Sequence, residues 1–281
     1  MSSVQNISVP ELTLNNSVTI PQLGFGVFQV PPEETQRIVE DALEAGYRHI
    51  DTAAAYRNEA GVGAAIKASG IPREEIFITT KLRNGEQSKA LEAFEKSSRA
   101  LGVDAVDLYL IHWPVPSQNQ YVQAWKDMEK LYGDGRIRAI GVSNFLPEHL
   151  DTLLAAADVV PAVNQFELHP TFQQQDLAAK CRSHGIAVEA YSPLGQGADL
   201  GSETVISLAS KYDATPARIV LAWHLGSGNI VIPKSAHSER IRENLAAAAI
   251  QLTDDELAAI SKLEAGYRIG ADPAVAAFSQ F

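Results

Sequence analysis

The chain has a single cysteine and two methionines in 281 residues. One cysteine cannot close an internal disulfide or build a thiolate metal cluster. Cys181 lies in the helical pattern QQDLAAKCRSHG, where a buried structural thiol is the expectation and a reactive one the alternative. Basic residues are scarce: 23 Lys and Arg face 34 Asp and Glu, a formal charge of −11. That balance argues against a general nucleic-acid or membrane-surface binder, each of which needs a basic face, but leaves room for a local cationic pocket. No stretch approaches the roughly 18 uninterrupted apolar residues of a membrane span. The leading segment MSSVQNISVPELTLNN lacks the basic start and apolar core of a secretory signal, so the expected address is cytoplasmic. Charge blocks, low-complexity tracts and Gly/Pro/Ser linkers are absent too, which favours one domain over 1–281.

What is present is an ordinary globular mixture, 46% apolar and 20% charged, enough for a large core. ELTLNNSVTI (residues 11–20) reads as a small hairpin turning at Asn15 and Asn16. Short apolar runs then alternate with amphipathic helical patterns, several closed by Gly as helix C-termini are. The runs end at Asp51, Lys81, His112, Ser143, Glu167, Tyr191 and Lys234, and the first four ends recur at intervals of about 30 residues, one βα unit each. With GFGVF at Gly24 counted first, about eight strands emerge, the number that closes a (β/α)8 barrel (a TIM barrel). The rival is a doubly wound open sheet. It usually carries G-x-G-x-x-G after its first strand, and the glycine pairs at Gly24, Gly61 and Gly195 all lack the third glycine.

Active sites of such barrels lie at the C-terminal ends of the strands, where this chain places polar residues. Singly, each has a bland reading: an Asp after a strand is commonly a helix N-cap and a lone His a satisfied structural residue. Together they are complementary. The Tyr56 hydroxyl is a poor acid near neutrality, and a lysine ammonium such as Lys81 favours its phenolate and lowers its pKa. Asp51 would keep that lysine charged, and His112 could bind a substrate oxygen or shuttle a proton. The set suits an alcohol–carbonyl interconversion. With no flavin or metal signature visible, a nicotinamide is the natural electron source. A metal-dependent barrel hydrolase would need clustered ligands, and the seven histidines show no H-E-x-x-H or similar spacing, so the metal expectation is none.

GYRHIDTAAAYRNE (Gly46–Glu59), ITTKL, LIHWP, GVSNF, NQFELHP, AYSPLGQG and IPKSAHSERIREN resemble the aldo-keto reductase family, from about Leu12 to about Leu263. PQLGFGVFQVPPEET and AVNQFELHP are most similar to its bacterial 2,5-diketo-D-gluconate reductase branch. The resemblance implies a single barrel, monomeric, holding NADPH across its C-terminal mouth and reducing small carbonyl compounds. It makes Tyr56 the general acid, Lys81 and Asp51 its tuning pair and His112 the substrate-orienting residue. Ser143, Asn144 and Gln165 would bind the nicotinamide carboxamide and Tyr191 would stack on the ring, beside Gly26 and Val27. Ser192, Leu194 and Gly195 would line the pyrophosphate loop. Lys234, Ser235 and Arg240 would hold the 2′-phosphate, with Glu243 and Asn244 near the adenine; the alternative is a solvated cationic helix start. Phe28, Trp113 and Phe145 would wall the substrate pocket.

One departure stands out. Many relatives place tryptophan after TTKL, whereas this chain has Arg83, which either adds a cation at the pocket rim for an anionic substrate or turns to solvent. The tail (about 265–281) is expected to fold over the site as a flap, through Phe278 or Phe281. A non-catalytic, NADPH-binding regulatory barrel is the remaining alternative, disfavoured by the intact set Tyr56, Lys81, Asp51 and His112.

Overall fold

The computed structural model describes residues 7–281; the leading residues 1–6, part of the segment read as lacking a targeting signal, lie outside it. Strands β1 (Glu11–Thr13) and β2 (Thr19–Pro21) form the expected antiparallel hairpin. Eight parallel strands follow: β3 (Phe25–Gly26), β4 (His49–Asp51), β5 (Phe77–Leu82), β6 (Val106–Ile111), β7 (Ile137–Ser143), β8 (Val163–Glu167), β9 (Ala187–Tyr191) and β10 (Ile230–Val231). They pair in sequence order, and a parallel bridge between Leu23 and Val231 joins the last strand to the first, closing the (β/α)8 barrel. The last strand is shorter than its apolar run suggests, ending at Val231 three residues before Lys234, because Pro233 has no N–H to donate.

Helices α1 (Pro32–Ala45), α2 (Glu59–Ser69), α3 (Ala90–Leu101), α4 (Tyr121–Gly133), α5 (Pro147–Leu154) and α6 (Gln175–Ser183) each follow a strand. Two helices, α7 (Glu203–Lys211) and α8 (Pro216–Gly226), separate β9 from β10, and α9 (Ser238–Leu245) and α10 (Asp254–Ser261) complete the ring. Local chemistry sets their ends. α1 starts on Pro32 with Glu33 and Glu34 in its first turn, and stops at Gly46 with φ 117, a backbone that costs other residues strain. α10 begins with a capping box between Thr253 and Glu256.

β5 and β6 are buried along their whole length, as strands covered on both faces must be. The barrel interior is apolar at its N-terminal end, where Leu14 and Ile20 of the hairpin pack against Phe77, Leu108, Ala139, Val163 and Ile230. Asn15 and Asn16 tie the hairpin down by donating to the carbonyls of Pro161 and Arg138. Further along the strands the interior turns polar, with His49, Asp51, Thr79, Lys81, Gln165 and Glu189 all buried. Cys181 is fully buried, and burial pushes its thiol up to about 11, in keeping with a structural role. Among the described residues no helix is long and apolar enough to cross a membrane.

Candidate active site

Directly after Asp51, residues Ala54–Tyr56 form one 3-10 turn that closes on Arg57 in the left-handed conformation. Asn58 anchors this turn: its Nδ2 donates to the Val27 and Val30 carbonyls at 3.0 and 3.3 Å, and Thr52 Oγ1 donates to its Oδ1. The turn leaves Tyr56 half-buried over the strand ends. Beneath it Lys81, fully buried near the end of β5, donates from Nζ to Asp51 Oδ1 at 2.6 Å and to the Thr52 carbonyl at 2.9 Å. The ammonium lies 5.1 Å from the Tyr56 ring centroid, and the His112 ring stands edge-on to that ring with centroids 5.6 Å apart. Three strand ends and one loop thus bring together the four residues singled out from the sequence.

Their electrostatics follow from burial. Burial alone would lower the Lys81 pKa, but Asp51 and Tyr56 together outweigh it and raise it, so the ammonium stays charged. For Tyr56 burial raises the pKa and the Lys81 charge opposes that rise; the net direction is upward, so in the ligand-free chain desolvation outweighs the lowering expected from the lysine. His112 is driven well below its ordinary range by burial and then by the Lys81 charge. It is therefore a neutral imidazole, and its Nδ1 is buried with no hydrogen-bond partner.

Asp51 also reaches sideways. Its Oδ2 accepts from Gln165 Nε2 at 2.9 Å, and the same nitrogen donates to Glu189 Oε2 at 3.0 Å. Carboxylate oxygens facing a side-chain amide are acceptors, so the nitrogen must point at them and the Gln165 carbonyl oxygen is the end left over. Glu189 was not singled out from the sequence; the signal was an acid interrupting the apolar run IAVEAY. Burial, and after it the Asp51 charge, push its carboxyl well above the usual carboxylate range.

Asn144 and Ser192, directly after β7 and β9, have φ of 63° and 48°, an uncommon conformation outside glycine. Asn144 Nδ2 donates to the His112 carbonyl at 3.0 Å and to Ser143 Oγ at 3.1 Å, while its Oδ1 accepts from the Tyr191 hydroxyl at 2.8 Å. The Gly26 and Val27 amides are spent within the barrel, on the carbonyls of Pro233 and Asp51. On the next rim segment Lys234 and Arg240 are exposed, Glu243 and Leu194 half-buried, and Ser235, Asn244 and Gly195 buried. The ion pairs of the described residues include neither Lys234 nor Arg240.

The tail does cover the mouth. Phe281 packs against Phe28 and His112 with centroids 6.1 and 5.9 Å apart, and Phe278 lies edge-on to Trp113 at 5.0 Å. Phe28 in turn lies 5.1 Å from the Tyr56 ring. The segment after β5 holds the tail: Arg83 Nε donates to the Gln280 carbonyl at 3.1 Å, Asn84 Nδ2 to that of Phe278 at 3.0 Å, and the Asn84 amide to Phe281. Arg83 is thus neither free in solvent nor a bare pocket cation; one nitrogen positions the flap. Phe145 does not join the wall expected of it: fully buried, it packs edge-on against Tyr121 and His149 of the surrounding helices. A separate cleft of about 840 Å³ between α2, α3 and the start of β6 contains none of these residues; there Asp107 bridges Arg73 and Arg138, a structural arrangement.

A tyrosine above a buried Lys–Asp pair with a neutral histidine beside it, at the mouth of an eight-stranded barrel, is matched by one family model. Residues 22–265 match the aldo/keto reductase family. The chain belongs to that family. An aldo-keto reductase of Mycolicibacterium smegmatis is 52% identical over 266 residues, covering 94% of this chain and 97% of that protein. Methylglyoxal reductase DkgA of Yersinia pestis is 50% identical, covering 95% and 97%. Among solved structures, an aldo/keto reductase from Brucella melitensis superposes with TM-score 0.89 at 48% identity, covering 92% and 99%. A mutant of Gox0644 in complex with NADPH superposes with TM-score 0.92 at 44% identity, covering 96% of this chain and 100% of that one. Membership makes the chain an oxidoreductase acting between carbonyls and alcohols.

Proposed function

We propose that this aldo/keto reductase uses NADPH to reduce small aldehydes or ketones to alcohols, with Tyr56 as the proton donor. The observation that carries the reading is the Lys81–Asp51 pair at 2.6 Å directly beneath Tyr56. A neutral His112 beside the tyrosine can donate one hydrogen bond to a substrate carbonyl and hold it against Tyr56. As the Tyr56 proton moves to the carbonyl oxygen, the phenolate left behind is stabilised by the Lys81 ammonium, which Asp51 keeps charged. The nicotinamide supplies the hydride when bound.

The residues present fit that cofactor. The free carbonyl oxygen of Gln165 suits the carboxamide NH2 group, with the Ser143 hydroxyl and Asn144 beside it, and Tyr191 offers a ring face. Ser192, Leu194 and Gly195, with left-handed backbone at Ser192 and Gly195, suit a pyrophosphate, and Gly26 and Val27 border the same mouth. The exposed cations Lys234 and Arg240, with Ser235, suit a 2′-phosphate, with Glu243 and Asn244 toward the adenine. NADP is the group bound in the Bombyx mori relative, an aldo-keto reductase 37% identical to this chain.

For the substrate we infer a carbonyl bearing a carboxylate or a second carbonyl, of the methylglyoxal or 2,5-diketo-D-gluconate kind. Arg83 supports this: its Nε is engaged by the Gln280 carbonyl of the tail that covers the mouth, and its remaining guanidinium nitrogens stay available to an anionic group. The Yersinia pestis relative bears the name methylglyoxal reductase. A purely regulatory barrel would not need Tyr56, Lys81, Asp51 and His112 in this geometry. The Tyr56→Phe variant tests the reading: it should bind NADPH as the parent does, by quenching of nucleotide fluorescence, while turnover falls by about 10²–10⁴. Near-normal turnover in that variant overturns it.

A further inference from the structure

One cluster of buried ionisable groups lies outside the proton-donating set. His169, two residues past the end of β8, is fully buried, with Nε2 at 3.2 Å from Glu167 Oε1 and Nδ1 at 2.8 Å from Asp199 Oδ2. Glu167 reaches on to the C-terminal segment, accepting from the amides of Ile269 at 2.7 Å and Gly270 at 2.8 Å. Asp199 belongs to the loop Gly195–Gly201 and is itself only 2% exposed, and the groups facing its oxygens are His169 and Thr171. The loop starts on three consecutive left-handed residues, Gly195, Gln196 and Gly197, with φ of 57°, 51° and 97°. Such a kink can absorb a large backbone rotation.

A carboxylate this deeply buried is held inside at low cost only while a positive charge faces it. Both ring nitrogens of His169 face carboxylates, with the Thr171 hydroxyl also 3.2 Å from Nδ1, so a neutral imidazole would set a lone pair against one carboxylate. We propose that His169, as an imidazolium between Glu167 and Asp199, is a positioning residue that holds the 195–201 loop closed over the cofactor, and that losing its charge releases Asp199 to water and opens the loop. The inference rests on the cofactor reading above. Burial would depress the histidine, but Asp199 and Glu167 outweigh it and raise its pKa to about 9, so the clamp is closed at neutrality and loosens as pH rises through that value. Two other titratable groups lie nearby: His224 of α8, kept neutral by burial and bonded to the Pro193 carbonyl at 3.0 Å, and Tyr191, whose hydroxyl burial holds protonated. On the C-terminal side stand Arg268, whose guanidinium lies over the Phe172 ring, and Glu264, which accepts from the Gln173 amide.

The test measures NADPH dissociation by stopped-flow fluorescence from pH 7 to pH 10, alongside proteolysis of the 195–201 loop in the cofactor-free protein. The parent should release NADPH slowly at pH 7 and about tenfold faster above pH 9, as an uncompensated buried charge drives the loop out. His169→Gln should release fast at every pH and be cut readily in the loop. Asp199→Asn, which no longer needs a charge facing it, should stay slow and lose the alkaline acceleration; it also serves if His169→Gln fails to fold. Parent-like rates and pH dependence in both variants overturn the clamp. Absence of NADPH binding in the parent overturns the cofactor reading instead, while loop proteolysis still reports on the clamp.

Discussion

Replacing Lys81 by methionine keeps the volume of the side chain and deletes its charge, leaving the Asp51 carboxylate stranded. Both side chains are shut off from water, at 0% and 3% exposure, so solvent cannot take over the role of the ammonium. Removing one partner of such a pair costs about 3–5 kcal/mol. Asp51 keeps one donor, Gln165 Nε2 at 2.9 Å, which places the loss near the lower end, about 3 kcal/mol. An unfolding entropy of about 2.1 cal/mol/K per residue gives about 0.6 kcal/mol/K for this length, hence a fall in Tm of about 5 °C. The companion variant, Lys81→Met with Asp51→Asn, removes both charges while the amide oxygen now at that position can still accept from Gln165. It should recover about 2 kcal/mol of the loss. Activity cannot read this out, because both variants lose the support beneath Tyr56; thermal and urea denaturation can. A single variant within about 1 kcal/mol of the parent, or a double variant less stable than the single, refutes the reasoning.

Lys234→Ala with Arg240→Ala should weaken NADPH by about a hundredfold or more and leave NADH nearly unchanged, since each charged contact to a phosphate contributes about 1.5–3 kcal/mol; equal losses in fluorescence titrations reject the 2′-phosphate role. Acid should destabilise the fold. Burial lowers His49 and His224 to about 4 against an ordinary value of 6.5, so their contribution is complete above pH 6.5 and lost as pH falls toward 4. Each amounts to about 3 kcal/mol, and urea midpoints that stay level from pH 7 to pH 4.5 contradict it. Arg83→Trp should abolish a preference for carboxylated over neutral aldehydes, read as the ratio of kcat/KM values; an unchanged ratio removes Arg83 from substrate choice.

The βα period and the residues ending each strand were legible because parallel strands in a barrel are buried on both faces and expose polar side chains only where they emerge. Asp51, Lys81 and His112 each sit at such an exit, and Tyr56 one turn beyond, so position along the chain already implied proximity in space. Phe145 shows the limit. An aromatic just past a strand end can turn to the mouth or to the helices, and the left-handed backbone at Asn144 accompanies its burial against Tyr121 and His149. Glu189 escaped notice for a related reason: an acid inside an apolar run has no meaning until the strand beside it supplies the Gln165 amide.

Sequence by itself determined the barrel and the placing of Asp51, Lys81, His112 and Tyr56 at its strand exits, because these follow from local periodicity and from residues placed at fixed intervals along one chain. Tertiary structure alone decided what depends on contacts between distant segments. It set the tail against Arg83 and Asn84, nearly 200 residues upstream. It made His169 the meeting point of β8, the 195–201 loop and, through Glu167, the C-terminal segment. It also turned the expected lowering of the Tyr56 pKa into a net rise, since desolvation depends on everything packed around a group and not on its neighbours in sequence.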